Sequence, residues 1–259
     1  MRWSERQHEM LQAMGVRLFE VPPPLASAPP VEPVDLPAET PRVAKPIAAV
    51  APPSVWTSEG ASRPDIATLG WTELRAAVVA CRACALCESR QQTVFGVGHP
   101  RAHWMIVGEA PGEQEDRVGE PFVGPAGQLL DNMLRALGLT RDEAPPERQV
   151  FIVNTLKCRP PKNRNPEPAE TAQCAPFLER QIALVQPRII LAMGRFAAQA
   201  LLASEEPLGK LRGRLHAWRG VPVVATYHPA YLLRTLGDKA RAWEDLCLAA
   251  SVAERIPQA

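Results

Sequence analysis

Four short apolar runs, each closed by a polar or turn-forming residue, constrain this chain most: HWMIVG at 103–108, QVFIVN at 149–154, RIILAM at 188–193 and VPVVAT at 221–226. Each reads as a buried strand. Helix-like segments at Gln128–Leu137, Ala169–Val185 and Phe196–Leu202 alternate with them, the second introduced by a Pro-Glu-Pro that suits a first helical turn. Strands alternating with helices imply an α/β protein, a three-layer α/β/α sandwich around a central, mainly parallel four-stranded sheet.

In such sheets ligands bind beyond the carboxyl ends of the strands. The runs end at Glu109, Asn154, Gly194 and His228, so a Glu, an Asn and a His are expected over one edge. Alone, an Asn at a strand end is an ordinary turn former and a lone His an ordinary hydrogen-bonded spectator. Three together are harder to dismiss.

The first quarter of the chain is different. Eleven of the 28 prolines fall between Pro22 and Pro53, and no glycine lies between Gly15 and Gly60. A Pro/Ala/Val-rich stretch of this kind reads as an extended linker over 21–67, unable to bury enough apolar surface to offset its ordering entropy. It joins a short segment at 1–20, where Met10, Leu11, Met14 and Leu18 stand near helical spacing, to a globular region at 68–256. The short segment is expected to pack back on the domain as a small helix. The alternative is a tethered docking peptide for a partner protein.

The net charge is only +1, which is no global signature of nucleic-acid binding. Locally, Lys157, Arg159, Lys162 and Arg164 occur with no acid among them, and residues 195–241 hold eight Lys/Arg against three Asp/Glu. Such runs form either a phosphate-tracking face or a plain solvated surface. The N-terminus lacks the apolar core of a signal peptide, and no stretch has the roughly 18 uninterrupted apolar residues that span a bilayer. The expectation is a soluble, cytoplasmic monomer. In that reducing compartment, six cysteines speak for metal binding or packing rather than disulfides.

The loop after the first strand, VGEAPGEQED at 107–116, is no phosphate cradle. It lacks the Gly-Lys-Ser/Thr of a Walker loop and the three glycines of a dinucleotide loop, and five acids between Glu109 and Glu120 would repel phosphate. It is suited to an uncharged ligand or to positioning a carboxylate.

Cys81 and Cys84 form a Cys-x-x-Cys pair, and Cys158 and Cys174 flank a loop stiffened by four prolines. Four thiolates can hold zinc or a 4Fe-4S cluster, and the spacing alone does not choose. Cys247 reads as a small core residue. Cys87 lies near enough to the pair to compete as a ligand.

The motifs CRACALCESR, VFGVGHPRAHWMIVGEAPGEQED, GEPFVGPAGQLL, NTLKCRPPKNRNP and YHPAYLLR, in this order, resemble the iron–sulfur uracil-DNA glycosylases of family 4 over residues 72–250. The resemblance implies a 4Fe-4S cluster on Cys81, Cys84, Cys158 and Cys174, with Cys87 outside the pattern. It also implies a substrate of single- or double-stranded DNA containing uracil, excised to leave an abasic site, and so makes a repair or replication protein the partner in the docking alternative for residues 1–20.

A glycosylase must flip a base out of the stack, hold it and stabilise charge as the glycosidic bond breaks. His228 suits hydrogen-bond donation to the O2 of departing uracil. Asn154 offers one acceptor and one donor for the N3–H and O4, a pattern that cytosine reverses. By the resemblance, Phe122 stacks on the base, a contact worth roughly 1–3 kcal/mol. Glu109 becomes the carboxylate near the water or sugar cation, and Glu115 stands beside the C5 edge, where its bulk excludes the methyl of thymine. Gly108, Ala110 and Gly112 let backbone approach the base closely. Glu113 and Asp116 read as helix-start or solvent residues.

Lys157, Arg159, Lys162, Arg164, Arg212, Arg214 and Arg234 are expected on DNA phosphates. Two rivals share these motifs: a glycosylase aimed at deaminated purines, and a non-catalytic nucleic-acid-binding protein with a zinc or iron–sulfur site. Retention of Glu109, Phe122, Asn154 and His228 together argues against the second.

Overall fold

The computed structural model describes Met10 and residues 65–256. The linker and the docking-peptide question lie outside the described residues, apart from Met10, which packs against a core cluster, and the turn Ile66–Thr68, which buries Ile66.

After α1 (Trp71–Ala80) and the short α2 (Leu86–Ser89) comes a sheet of six strands. They are β1 (Val97–Gly98), β2 (Trp104–Gly108), β3 (Phe151–Asn154), β4 (Ile189–Met193), β5 (Leu215–Trp218) and β6 (Val221–Thr226), in the order β1-β3-β2-β4-β6-β5. The inner four are the expected apolar runs, mutually parallel; β1 and β5 add antiparallel edges, so the expected four strands become six. Both additions escape a search for apolar runs. β1 has two residues with positive-φ glycines at Gly96 and Gly98, and β5 alternates exposed with half-buried positions.

Alternation of side chains along each strand divides the core in two. Met105, Val107, Phe151, Val153, Ile190, Ala192, Val223 and Ala225 face one layer, with Leu74 and Val78 of α1, α5 (Pro168–Val185) and α6 (Arg195–Leu202). Ile106, Ile152, Leu191, Met193 and Val224 face the other, against α4 (Pro125–Ala136) and α9 (Lys239–Arg255). Both faces are covered, which explains strands that read as continuous apolar runs. No helix among the described residues is long and apolar enough to cross a membrane.

Between β2 and α4 lies α3 (Glu113–Val118), whose first turn carries Glu113, Glu115 and Asp116, as the positive end of a helix favours. Glu113 is exposed and pairs with Arg117 and Arg159. Asp116 departs from the solvent reading: it is 1% exposed, and its carboxylate accepts hydrogen bonds from the main-chain N–H groups of Gln91 and Gln92. Asp116→Ala is therefore expected to destabilise the domain by about 1–3 kcal/mol, because buried donors lose their acceptor. A urea melt unchanged from wild type would remove Asp116 from this bracing role.

Candidate active site and cysteine centre

The parallel pairing of β2 with β3 sets Gly108 opposite Asn154, and the pairing continues beyond the strands as Thr155 N and Leu156 N donate to Gly108 O and Glu109 O. On Gly108, a Cβ would lie 2.3 Å from Asn154 Oδ1 and 2.6 Å from Phe122 Cζ, so only glycine lets amide and ring close together over the strand end. Asn154 is 2% exposed, and no described group hydrogen-bonds its carboxamide. A buried amide without a protein partner is poised for a ligand.

Phe122 is reached through a backbone of φ 55°, a conformation that costs an L residue energy and persists where surroundings enforce it. Gly127, in the first turn of α4, makes room: a Cβ there would meet Phe122 O at 1.7 Å. The Phe122 ring stacks on the His228 imidazole with centroids 5.3 Å apart and planes 25° from parallel. His228 follows β6 as N-cap of α8 (Pro229–Leu232). Its ring lies against Gly194, whose φ of 89° and missing Cβ admit it.

His228 Nδ1 accepts a hydrogen bond from Ala230 N at 3.2 Å. In the neutral ring the proton then sits on Nε2, which is left as a donor. Burial pushes the His228 pKa down to about 4; the Glu115 carboxylate opposes this and Arg234 adds to it. The imidazole is neutral across the physiological range. Glu109 shifts the other way: burial raises its pKa, and the Arg195 guanidinium partly offsets that.

Glu115 has both oxygens engaged, accepting from Gly112 N at 3.1 Å and Val123 N at 3.0 Å. It thus ties the loop after β2 to the loop carrying Phe122. Gly112 is the N-cap of α3, and Ala110 packs against the first core layer.

The second site lies beside the first. Cys81, Cys84, Cys87, Cys158 and Cys174 line one hollow with Arg90, Lys157 and Phe177. Arg90 braces it, donating to Cys158 Sγ at 2.9 Å, Cys81 O at 2.9 Å and Val79 O at 3.0 Å. Burial raises the Cys158 pKa, against the Arg90 hydrogen bond, and pushes Cys174 up to about 12. No group of three or more His, Cys, Asp or Glu among the described residues stands at single-ion spacing. Cys247 packs on the second core layer.

The phosphate-contact set needs correction. Lys157 is 1% exposed and donates from Nζ to Asn154 O at 2.6 Å, so it cannot reach DNA. Its pKa falls to about 8 through burial, against the pull of Cys174 and Cys158. Arg164 forks onto the buried carboxylate of Glu170 at 2.6 and 2.9 Å, and Arg212 onto the buried Asp245 at 3.0 Å. Such charge-assisted bonds hold loops together rather than leaving the guanidinium for a ligand. Arg159 meets Asn163 and Glu113, and the exposed Arg214 meets Glu206. Lys162 and Arg234 are exposed, and neither makes an ion pair among the described residues. Arg90, Thr155 and Arg195 escaped the sequence reading. Arg195 had a signal, standing one residue past a strand end at the edge where ligands bind.

The family model of the uracil-DNA glycosylase superfamily matches residues 95–247. A type-4 uracil-DNA glycosylase of Sulfurisphaera tokodaii is 42% identical over 170 residues, 62% of this chain and 74% of the relative. This chain is a type-4 member of the uracil-DNA glycosylase superfamily. The type-4 enzyme of Archaeoglobus fulgidus is likewise 42% identical, over 60% of this chain and 79% of its own length. A type-5 uracil-DNA glycosylase of Pyrobaculum aerophilum is more distant, at 35% over 52% of this chain.

Ionised Glu109 is disfavoured by its burial, which yields a stability prediction. Its folded pKa is raised, so the proton is bound more tightly in the folded than the unfolded state, and stability is lost as pH rises through the folded value. Glu109→Gln should therefore raise the melting temperature at pH 7, with the gain shrinking toward pH 4. A variant less stable than wild type at pH 7 would show that the carboxylate is held by partners rather than strained by burial.

Proposed function

We propose that this protein is a DNA repair glycosylase that flips uracil out of single- or double-stranded DNA and hydrolyses its glycosidic bond, leaving an abasic site. The observation that carries the reading is the buried, unpartnered Asn154 carboxamide under Gly108, flanked by the stacked Phe122 and His228 rings. One amide acceptor and one donor complement the N3–H and O4 of uracil, whereas cytosine reverses that pattern and would pair only with the amide turned over. The base lies in contact with Phe122, and Gly108, Ala110 and Gly112 allow backbone to approach it. Glu115 fixes the loop around the C5 edge.

His228 donates from Nε2 to the O2 of the leaving base. A neutral donor already oriented by Ala230 N stabilises the growing negative charge without first losing a proton. Glu109, on the sugar side, balances the cationic sugar or orients the attacking water. Arg234, Lys162 and Arg195, exposed and without an ion pair among the described residues, supply phosphate contacts, which give affinity without sequence choice.

Cys81, Cys84, Cys158 and Cys174 would hold a 4Fe-4S cluster. Support comes from the donor set: these four thiols line one hollow together with Cys87, with the Arg90 guanidinium and the Lys157 amine beside them to offset thiolate charge. When bound, the cluster supplies a cross-link that fixes the 158–174 loop. The chemistry at the base needs no electron from it.

His228→Ala is expected to lower the single-turnover rate of uracil release by about a hundredfold or more with little loss of DNA affinity. A wild-type rate would sink the role given to its Nε2–H. The acid limb of the pH–rate profile should lie above the usual carboxylate range, because Glu109 must ionise and its pKa is raised; His228 stays neutral down to about pH 4 and adds no limb above that. An unshifted limb persisting in Glu109→Gln would assign it to another group.

A further inference from the structure

Asn154 can read a base only if its main chain is fixed, and the sheet does not fix it on one side. β1 pairs with β3 at Phe151 and Ile152 alone. Beyond that point the Asn154 carbonyl is met by a side chain: the Lys157 amine, fully inside the protein, at 2.6 Å. The same residue is anchored at both main-chain groups, its N–H directed at Cys174 Sγ at 3.4 Å and its C=O accepting from Val94 N at 2.8 Å. Lys157 also lines the hollow shared by the five cysteines. One residue therefore touches the cysteine-lined loop with its main chain and the base-reading residue with its side chain.

An amine buried this deeply is costly unless it is hydrogen-bonded and charge-compensated, so it is a poor choice for mere filling. A methionine would fill the volume without that cost. What the amine adds is a directed bond to one carbonyl, three residues back along the chain.

We propose that Lys157 is a positioning residue for base recognition: its amine holds the Asn154 main chain, and through it the carboxamide, in a register set by the cysteine-lined loop. The inference rests on the reading of Asn154 as the residue that recognises uracil. It makes the cysteine loop part of the specificity apparatus, since displacing that loop displaces Lys157 and then Asn154.

A double-mutant cycle on the full chain tests this, using Lys157→Met, Asn154→Ala and the pair. The readouts are single-turnover release of uracil, affinity for free uracil, and affinity for undamaged DNA. Lys157→Met should lower the release rate by about 10- to 100-fold, as small misplacements of a positioned group do. It should weaken uracil affinity by a similar factor and leave affinity for undamaged DNA unchanged. Added to Asn154→Ala, it should cost almost nothing further, because the two act through one contact.

Multiplicative losses in the double variant would overturn the proposal while leaving Asn154 as reader. Wild-type release by Asn154→Ala would instead remove the base-reading role, a separate failure. Should methionine at this buried position prevent folding, Lys157→Leu, which likewise removes the donor, replaces it in the same cycle. Wild-type uracil affinity in a folded variant that cannot donate to Asn154 O would likewise overturn the proposal.

Discussion

The missing side chain at Gly108 is the constraint on which the pocket depends. Parallel pairing brings β2 and β3 to an end together, with Gly108 facing Asn154, and any Cβ at 108 would occupy the space of the Asn154 amide and the Phe122 ring. The carboxamide is consequently left without a protein partner over the strand end, where a ligand can complete it. Phe122 can lie there because its strained backbone is accommodated by Gly127, and His228 stacks on it because Gly194 admits its ring. Three glycines from three parts of the chain clear the space that these three side chains fill.

Electrostatics then divide the labour. Burial depresses the His228 pKa and raises that of Glu109, so the same desolvation favours the neutral imidazole and disfavours the ionised carboxylate. In the proposed mechanism, a neutral donor over the base and an anion beside the sugar match the charges that develop as a glycosidic bond breaks. The acidic loop is intelligible on this basis: Asp116 and Glu115 are consumed in bracing main chain, Glu113 pairs at the surface, Glu120 is exposed, and Glu109 is left for the role proposed for it.

Much of this was legible from the chain. The four apolar runs became the inner strands because strands buried on both faces carry continuous apolar sequence, and strand-end logic brought Glu109, Asn154 and His228 to one edge. The edge strands were hidden because β1 is two residues long and β5 is half exposed. The basic runs misled for a different reason. A run of like charges shows where cations occur in sequence and nothing of where their partners fold: Arg164 finds Glu170 six residues on, Arg212 finds Asp245 on the last helix, and Lys157 turns inward to a carbonyl. Arg90, next to the third cysteine, was legible only once its guanidinium was seen to bridge Cys81 O and Cys158 Sγ.

The central claim is that this pocket reads uracil and drives its release. The most direct measurement is single-turnover cleavage of otherwise identical oligonucleotides, single- and double-stranded, each carrying one uracil, thymine, cytosine or hypoxanthine, scored by abasic-site formation. The account predicts prompt release of uracil and none of cytosine or thymine. Failure to release uracil from either form, by protein whose near-400-nm absorbance shows the proposed cluster to be loaded, or faster release of hypoxanthine, would contradict it.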